Sequence, residues 1–199
     1  MKSENSNLYV VGIGASAGGL DAIQTLFDHV PNNTGMAFII IQHLSPDFKS
    51  LMPELLSKHT SMPIYKTEDK QVIEPNCIYL NHRNKNLHIK GNKLYLLDKG
   101  PKHNRNLPID IFFHTLGEEH GERIVLSGTG SDGSRGLYSI KEGGGTIVVQ
   151  EPVSAQFDGM PNSAIMTNLA DYILRPEKIA EIFCKTPNER LLLTDKNLD

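Results

Sequence analysis

Short apolar runs alternate with helically spaced apolar positions along the chain. Residues 8–13 and 36–41 are continuous and rich in β-branched side chains, the pattern of strands buried on both faces of a parallel sheet. Between them, Leu20, Ile23, Leu26 and Phe27 fall on one face of a helix. This is a β–α–β unit, closed by a right-handed crossover. A second helix is expected from Ser50 as its cap, which puts Pro53 in the first turn, where a missing N–H breaks no intrahelical bond. A start at Ser45-Pro46 would place Pro53 in the helix interior, at a cost of about 3 kcal/mol.

The middle of the chain changes character. Cys77–Leu80 is a short strand, and residues 87–90 and 93–97 flank Gly91-Asn92, a two-residue signal for an antiparallel hairpin. Helical spacing returns at Ile109, Phe112, Phe113 and Leu116. Residues 124–126 form a short strand, and 133–142 a helix stopped by three glycines. A strand at 146–149, a helical turn or two at 161–166, a strand at Tyr172–Leu174 and a helix over 177–183 complete the pattern. The expected fold is α/β: a doubly wound, mostly parallel, Rossmann-like sheet with helices on both faces and an antiparallel β-hairpin. No repeat or low-complexity linker divides it, so one domain is expected over residues 1–184, with a polar tail at 185–199.

Composition removes several classes of function. Twenty lysines and arginines stand against 23 acids, a net charge of −3, which leaves no basic excess for nucleic acid and no charge bias toward disorder. Cys77 and Cys184 are too few for a disulfide scaffold, which points to a reduced, cytoplasmic chain. The longest apolar run, 36–41, is far short of the about 20 residues a membrane-spanning helix needs. The apolar start is cut by Gly12 and Gly14, so it is read as a first strand and not a secretion signal.

Three segments can carry chemistry. Residues 12–19 (Gly-Ile-Gly-Ala-Ser-Ala-Gly-Gly) join the first strand to the first helix. A dinucleotide fingerprint there wants an acidic residue after the second strand, which instead ends in Gln42-His43. A small hydroxyl on a sharp strand-to-helix turn can be a nucleophile, with backbone N–H groups beside it for an oxyanion. Alternatively the glycines serve only to pack helix on strand, with Ser16 as a cap. His43 follows the second strand, and neighbouring parallel strands lie about 4.8 Å apart. Ser16 and His43 can therefore meet as nucleophile and base. Asp132 lies in a third such loop; it either caps the helix after it or completes a triad by orienting the imidazole. It lacks the clustered oxygen ligands of a calcium loop. The order Ser–His–Asp differs from that of α/β-hydrolases. Neither H-E-x-x-H nor a Gly-Lys-Ser/Thr phosphate loop occurs, so no metal and no cofactor is expected.

Gly-Ala-Ser-Ala-Gly-Gly at 14–19, Gln42-His43, Ser-Gly-Thr-Gly-Ser-Asp-Gly at 127–133 and Phe-Asp-Gly-Met-Pro at 157–161 together resemble the catalytic domain of CheB-type chemotaxis protein-glutamate methylesterases. The likeness runs from about Leu8 to Phe183, and its wording is most similar to the branch fused to a methyltransferase domain. The resemblance implies Ser16 as nucleophile, His43 as base and then acid, and Asp132 as the orienting carboxylate. It also implies an oxyanion site near Ala17 and Gly18, with Met160 on the cleft wall. The implied substrate is a glutamate γ-methyl ester on the helical signalling region of a chemoreceptor, with deamidation of particular glutamines by the same route. A methyltransferase domain, fused or separate, is the other implied partner. The alternative is a non-catalytic receptor-docking module on the same fold. Ala17 and Thr129 replace the family's usual Thr and Met, which changes the pocket lining, and the strand before Asp132 is shorter than the family pattern. The family's receiver domain has no counterpart before the first strand, so no phosphorylation switch is expected within this chain.

Overall fold

The expected β–α–β unit forms the centre of the sheet. In the computed structural model, which describes residues 8–43, 51–100, 106–119, 122–125 and 128–183, β1 (Tyr9–Ala15) and β2 (Met36–Gln42) pair in parallel along their whole length, with α1 (Gly19–His29) between them. The chain continues through α2 (Met52–Leu56), β3 (Ile64–Lys66), β4 (Gln71–Val72), β5 (Cys77–Leu80), β6 (Lys85–Lys90) and β7 (Lys93–Asp98). It then forms α3 (Pro108–Glu118), β8 (Glu122–Val125), α4 (Gly136–Glu142), β9 (Ile147–Gln150), a 3-10 turn (Pro152–Ser154), α5 (Gly159–Ile165), β10 (Tyr172–Leu174) and α6 (Pro176–Phe183).

The described strands make a seven-stranded sheet of order β10-β9-β8-β1-β2-β5-β3, with every pairing parallel. The chain leaves β1 toward β2 and later returns to β1's other side as β8. The carboxyl end of β1 is therefore the topological switch point, the usual place for a site on such a sheet. The hairpin β6–β7 forms as expected around Gly91-Asn92 and gains β4 to make a separate three-stranded antiparallel sheet.

Alternating side chains give the sheet two cores. On one face Val11, Ile13, Phe38 and Ile40 pack with Ile23, Leu26 and Phe27 of α1 and with Phe183 of α6. Phe38 meets Phe27 and Phe183 edge-on, with ring centroids 5.3 and 5.7 Å away. On the other face Val10, Ile39 and Ile41 pack with Phe112, Phe113 and Leu116 of α3, and the hairpin adds Leu87, Ile89 and Leu94. Each such side chain contributes about 1.5–3 kcal/mol when fully buried. The α-carbons of β1 and β2 are thus held from both sides, and their carboxyl ends are fixed relative to each other.

Several boundaries move. The second helix is capped by Leu51 and starts at Met52, with Pro53 in its first turn; Ser50 lies outside the described residues. The fourth helix starts at Gly136 and not at Gly133, because Gly133 has φ +96°, a left-handed conformation no helix admits. The fifth begins at Gly159, two residues before Pro161, so the proline stays in the first turn. Leu126, Ser127, Cys184 and the tail at 185–199 lie outside the described residues.

Candidate active site

Full pairing of β1 with β2 brings Ala15 opposite Gln42, so Ser16 and His43 leave the sheet side by side. The His43 N–H donates to Ala15 O at 3.3 Å, which extends the ladder by one rung. Past Ser16 the chain turns sharply into α1. Gly18, the helix cap, is left-handed at φ 69°, and Gly19 N–H donates to Ser16 O at 3.0 Å. The helix therefore takes the serine's carbonyl and not its hydroxyl, which corrects the cap assigned to Ser16 as an alternative. Ser16 Oγ instead lies 3.1 Å from His43 Nδ1.

The other ring nitrogen, Nε2, lies 2.6 Å from Asp132 Oδ2. The tautomer that satisfies both contacts carries its proton on Nε2, donates it to Asp132, and accepts the serine hydroxyl at Nδ1. The side chain of His43 is 36 % exposed and that of Asp132 only 2 %. A carboxylate that deep needs donors. Besides His43 it receives Ile109 N–H on Oδ2 at 3.1 Å and Asp110 N–H on Oδ1 at 2.9 Å.

Those two amides belong to the first turn of α3. Asp132 thus caps the N-terminus of α3, not the helix that follows it, which corrects the alternative expectation. The N-terminus of α4 is served in return by Asp110, whose Oδ1 accepts Arg135 N–H and Gly136 N–H, both at 2.9 Å. The two aspartates exchange helices. Asp110 Oδ2 is buried and has no hydrogen-bond partner among the described residues. Burial raises the Asp110 carboxyl above its usual range; the Asp132 charge adds to this, while the N–H groups of Gly136, Arg135 and Gly133 partly offset it.

The loop before Asp132 is tied to the start of α5. Gly128 N–H donates to Phe157 O at 3.0 Å and Met160 N–H to Gly128 O at 2.8 Å. A Cβ at Gly128 would overlap the Met160 sulfur and approach Ser16 Cβ to 2.8 Å, so only glycine fits between them. Met160 itself is fully buried. Its sulfur lies against Gly128, on which Ser16 Cβ also closes. Ala17 and Gly18 are half-buried beside the nucleophile, and Thr129 is exposed on the loop.

Asp110, Gly128 and Asn81 are the contributors that motif spacing did not single out. The amide of Asn81, just past β5, brackets Gln42: Oδ1 accepts Gln42 N–H at 3.1 Å and Nδ2 donates to Gln42 O at 2.9 Å. An aspartate two residues after Pro108 was a readable signal of a first helical turn, although not of which loop it serves. Asn81 gives no local signal. Among the described residues no group of three or more His, Cys, Asp or Glu side chains could hold a metal ion, and no helix is long and apolar enough to cross a membrane.

Comparison with known proteins agrees with this geometry. A family model described as CheB methylesterase matches residues 11–183. A putative protein-glutamate methylesterase/protein-glutamine glutaminase of Leptospira interrogans is 34 % identical over 189 residues, covering 93 % of this chain and 98 % of that protein. Protein-glutamate methylesterase/protein-glutamine glutaminase 1 of Xanthomonas campestris is 32 % identical over 179 residues, 86 % of this chain and 50 % of that longer protein. The crystal structure of the Thermotoga maritima CheB methylesterase catalytic domain superposes with a TM-score of 0.81 at 26 % identity, covering 88 % of this chain and 97 % of that one. Sequence, fold and extent agree, and the chain belongs to the CheB methylesterase family.

Proposed function

We propose that this chain is a serine esterase that hydrolyses glutamate γ-methyl esters on the helical signalling region of a methyl-accepting chemoreceptor, and deamidates particular glutamines there. The observation that carries the proposal is the unbroken array from Ser16 Oγ through the His43 ring to Asp132. The family model's span supports a catalytic unit within residues 1–184, and such a substrate places the enzyme in the cytoplasm.

The chemistry follows from the array. His43 Nδ1 takes the proton of Ser16 as Oγ attacks the ester carbonyl. Asp132 holds the ring in the tautomer that leaves Nδ1 open, and steadies the imidazolium that forms. The tetrahedral oxygen, now negative, is received by backbone N–H groups at Ala17 and Gly18, where the chain turns into α1. Collapse expels methanol, which takes its proton from His43. Water then attacks the glutamyl ester of Ser16 with His43 again as base, releasing glutamate and the free serine. For a glutamine the leaving group is ammonia.

The test is methanol release from a receptor signalling fragment methylated beforehand. The wild type should release methanol and Ser16→Ala should not, with its circular dichroism unchanged. Equal release by both would remove Ser16 from the reaction.

A further inference from the structure

The charge of the chain is unevenly spread. From Lys58 to Arg105 the sequence has ten lysines and arginines against four acids; elsewhere it has ten against nineteen. The basic stretch feeds the catalytic face. β5 pairs beside β2, and Asn81 clamps the backbone of Gln42, the residue before the base. Residues 82–85 are therefore held next to His43. His82, Arg83 and Lys85 line, with Lys99, a depression of about 230 Å³ that His43 itself borders.

The described lining contains no acidic residue and three cations, Arg83, Lys85 and Lys99. Lys85 is paired with Asp98 across the hairpin at 2.6 Å. The Lys99 ammonium donates to Arg83 O at 2.6 Å, which pins the loop without neutralising either cation. Arg83 is exposed, and none of the ion pairs among the described residues uses its guanidinium. A guanidinium and an ammonium on one rim suit carboxylates, which a guanidinium can hold by two parallel bonds.

We infer that this depression is a carboxylate subsite, which takes glutamate side chains of the substrate polypeptide adjacent to the ester being cleaved. The inference rests on the methylesterase reading. Each turnover of that reaction converts a neutral ester into a carboxylate, so a substrate with several sites becomes more acidic as hydrolysis proceeds. On a helix, side chains three or four positions apart are neighbours, about 5–6 Å between their Cβ atoms. With His43 at one border of the depression and Arg83 and Lys99 along it, an ester beside an already hydrolysed site is favoured over one among esters. The attraction involves exposed charges and is weakened by salt.

Two helical peptides test this, each with one glutamate γ-methyl ester, flanked at the fourth position on either side by glutamate in one and glutamine in the other. N-acetyl-glutamate γ-methyl ester α-amide, which has no flanking residues, reports on the triad alone. The wild type should prefer the glutamate-flanked peptide about tenfold in kcat/KM. Arg83→Gln combined with Lys99→Gln, or about 0.5 M salt, should abolish the preference and leave the other two substrates unchanged. Equal wild-type rates on the two peptides, or an equal fall on both in the variant, would overturn the subsite. If neither peptide nor the small ester releases methanol, the methylesterase reading itself fails. Fluorescence anisotropy with Ser16→Ala then decides the subsite: tighter binding of the glutamate-flanked peptide, lost on adding the two glutamines, upholds it, and equal binding of both peptides overturns it.

Discussion

The nucleophile and base sit on one continuous stretch of chain, whereas the acid is held by parts from separate stretches. Ser16 and His43 are 27 residues apart, on two strands paired through seven rungs, and backbone hydrogen bonds set their separation. Asp132 is 89 residues from His43, beyond a four-residue strand, and is placed by contacts to α3, whose partner helix α4 is capped from Asp110. A ladder of backbone bonds tolerates changes of side chain. An assembly of side-chain caps and one tight glycine contact does not. Sensitivity on the Ser–His side should therefore be confined to the reacting groups, and on the Asp side should spread to residues that never touch substrate.

The largest effect tests the first half of that contrast. Ser16→Ala should lower kcat by roughly 10⁴-fold or more, with an unchanged Tm, because the hydroxyl's described bond is to His43 alone. Next, Asp132→Asn should lower kcat by roughly 10³–10⁴-fold by favouring the wrong tautomer, and should also lower stability by about 1 kcal/mol, because an amide keeps only one of the two oxygens that accept from α3. Urea unfolding beside kinetics separates the two effects. Gly128→Ala should cost about 100-fold in kcat and about 1–3 kcal/mol through overpacking. Shortening the facing side chain with Met160→Ala should restore part of the activity, as coupled neighbours do. Additive losses in the double variant would place the strain elsewhere.

Asp110 gives the smaller effects and sharpens the contrast most. Asp110→Ala leaves two α4 amides without their acceptor, with an expected loss of about 1 kcal/mol and a severalfold fall in kcat as the Asp132 loop loosens. Full activity in that variant would make the acid as self-sufficient as the nucleophile. Asp110→Asn keeps an acceptor and removes the charge. The raised carboxyl binds its proton more tightly in the folded state than in the unfolded one, so it lowers stability as pH rises from its ordinary value, 3.8, through its folded value. Urea midpoints measured across that acid range should fall less steeply with pH in Asp110→Asn than in the wild type.

The same division governs what could be read from the amino-acid pattern. Strands such as Cys77–Leu80 lie where apolar runs put them, because a run buried on both faces has few alternatives; Tyr172–Leu174 also lies on its apolar run, although as the sheet's edge strand it leaves Ile173 exposed. β3 and β4 were not expected: at three and two residues, mostly half-buried or exposed, they carry too short a pattern to stand out. The Ser–His pair was legible because both residues end adjacent strands. Asp132 was legible as a residue but not in its partners. Which helix an aspartate caps is decided by how α3 lies against α4, and no local spacing reports that.

β8's position has a consequence in time. It fills the slot between β1 and β9, so β1 is a sheet edge until β8 has been made. At synthesis rates of about 5–20 residues per second, Asp132 leaves the ribosome roughly 5–20 s after His43. For that interval the nascent chain has its serine and imidazole but also an open, apolar strand edge, the kind that recruits stray strands. Closure of that edge and arrival of the carboxylate come with the same stretch of polypeptide. β1 therefore gains its second neighbour and His43 its carboxylate from one short stretch, while the open edge passes to β8 until β9 follows.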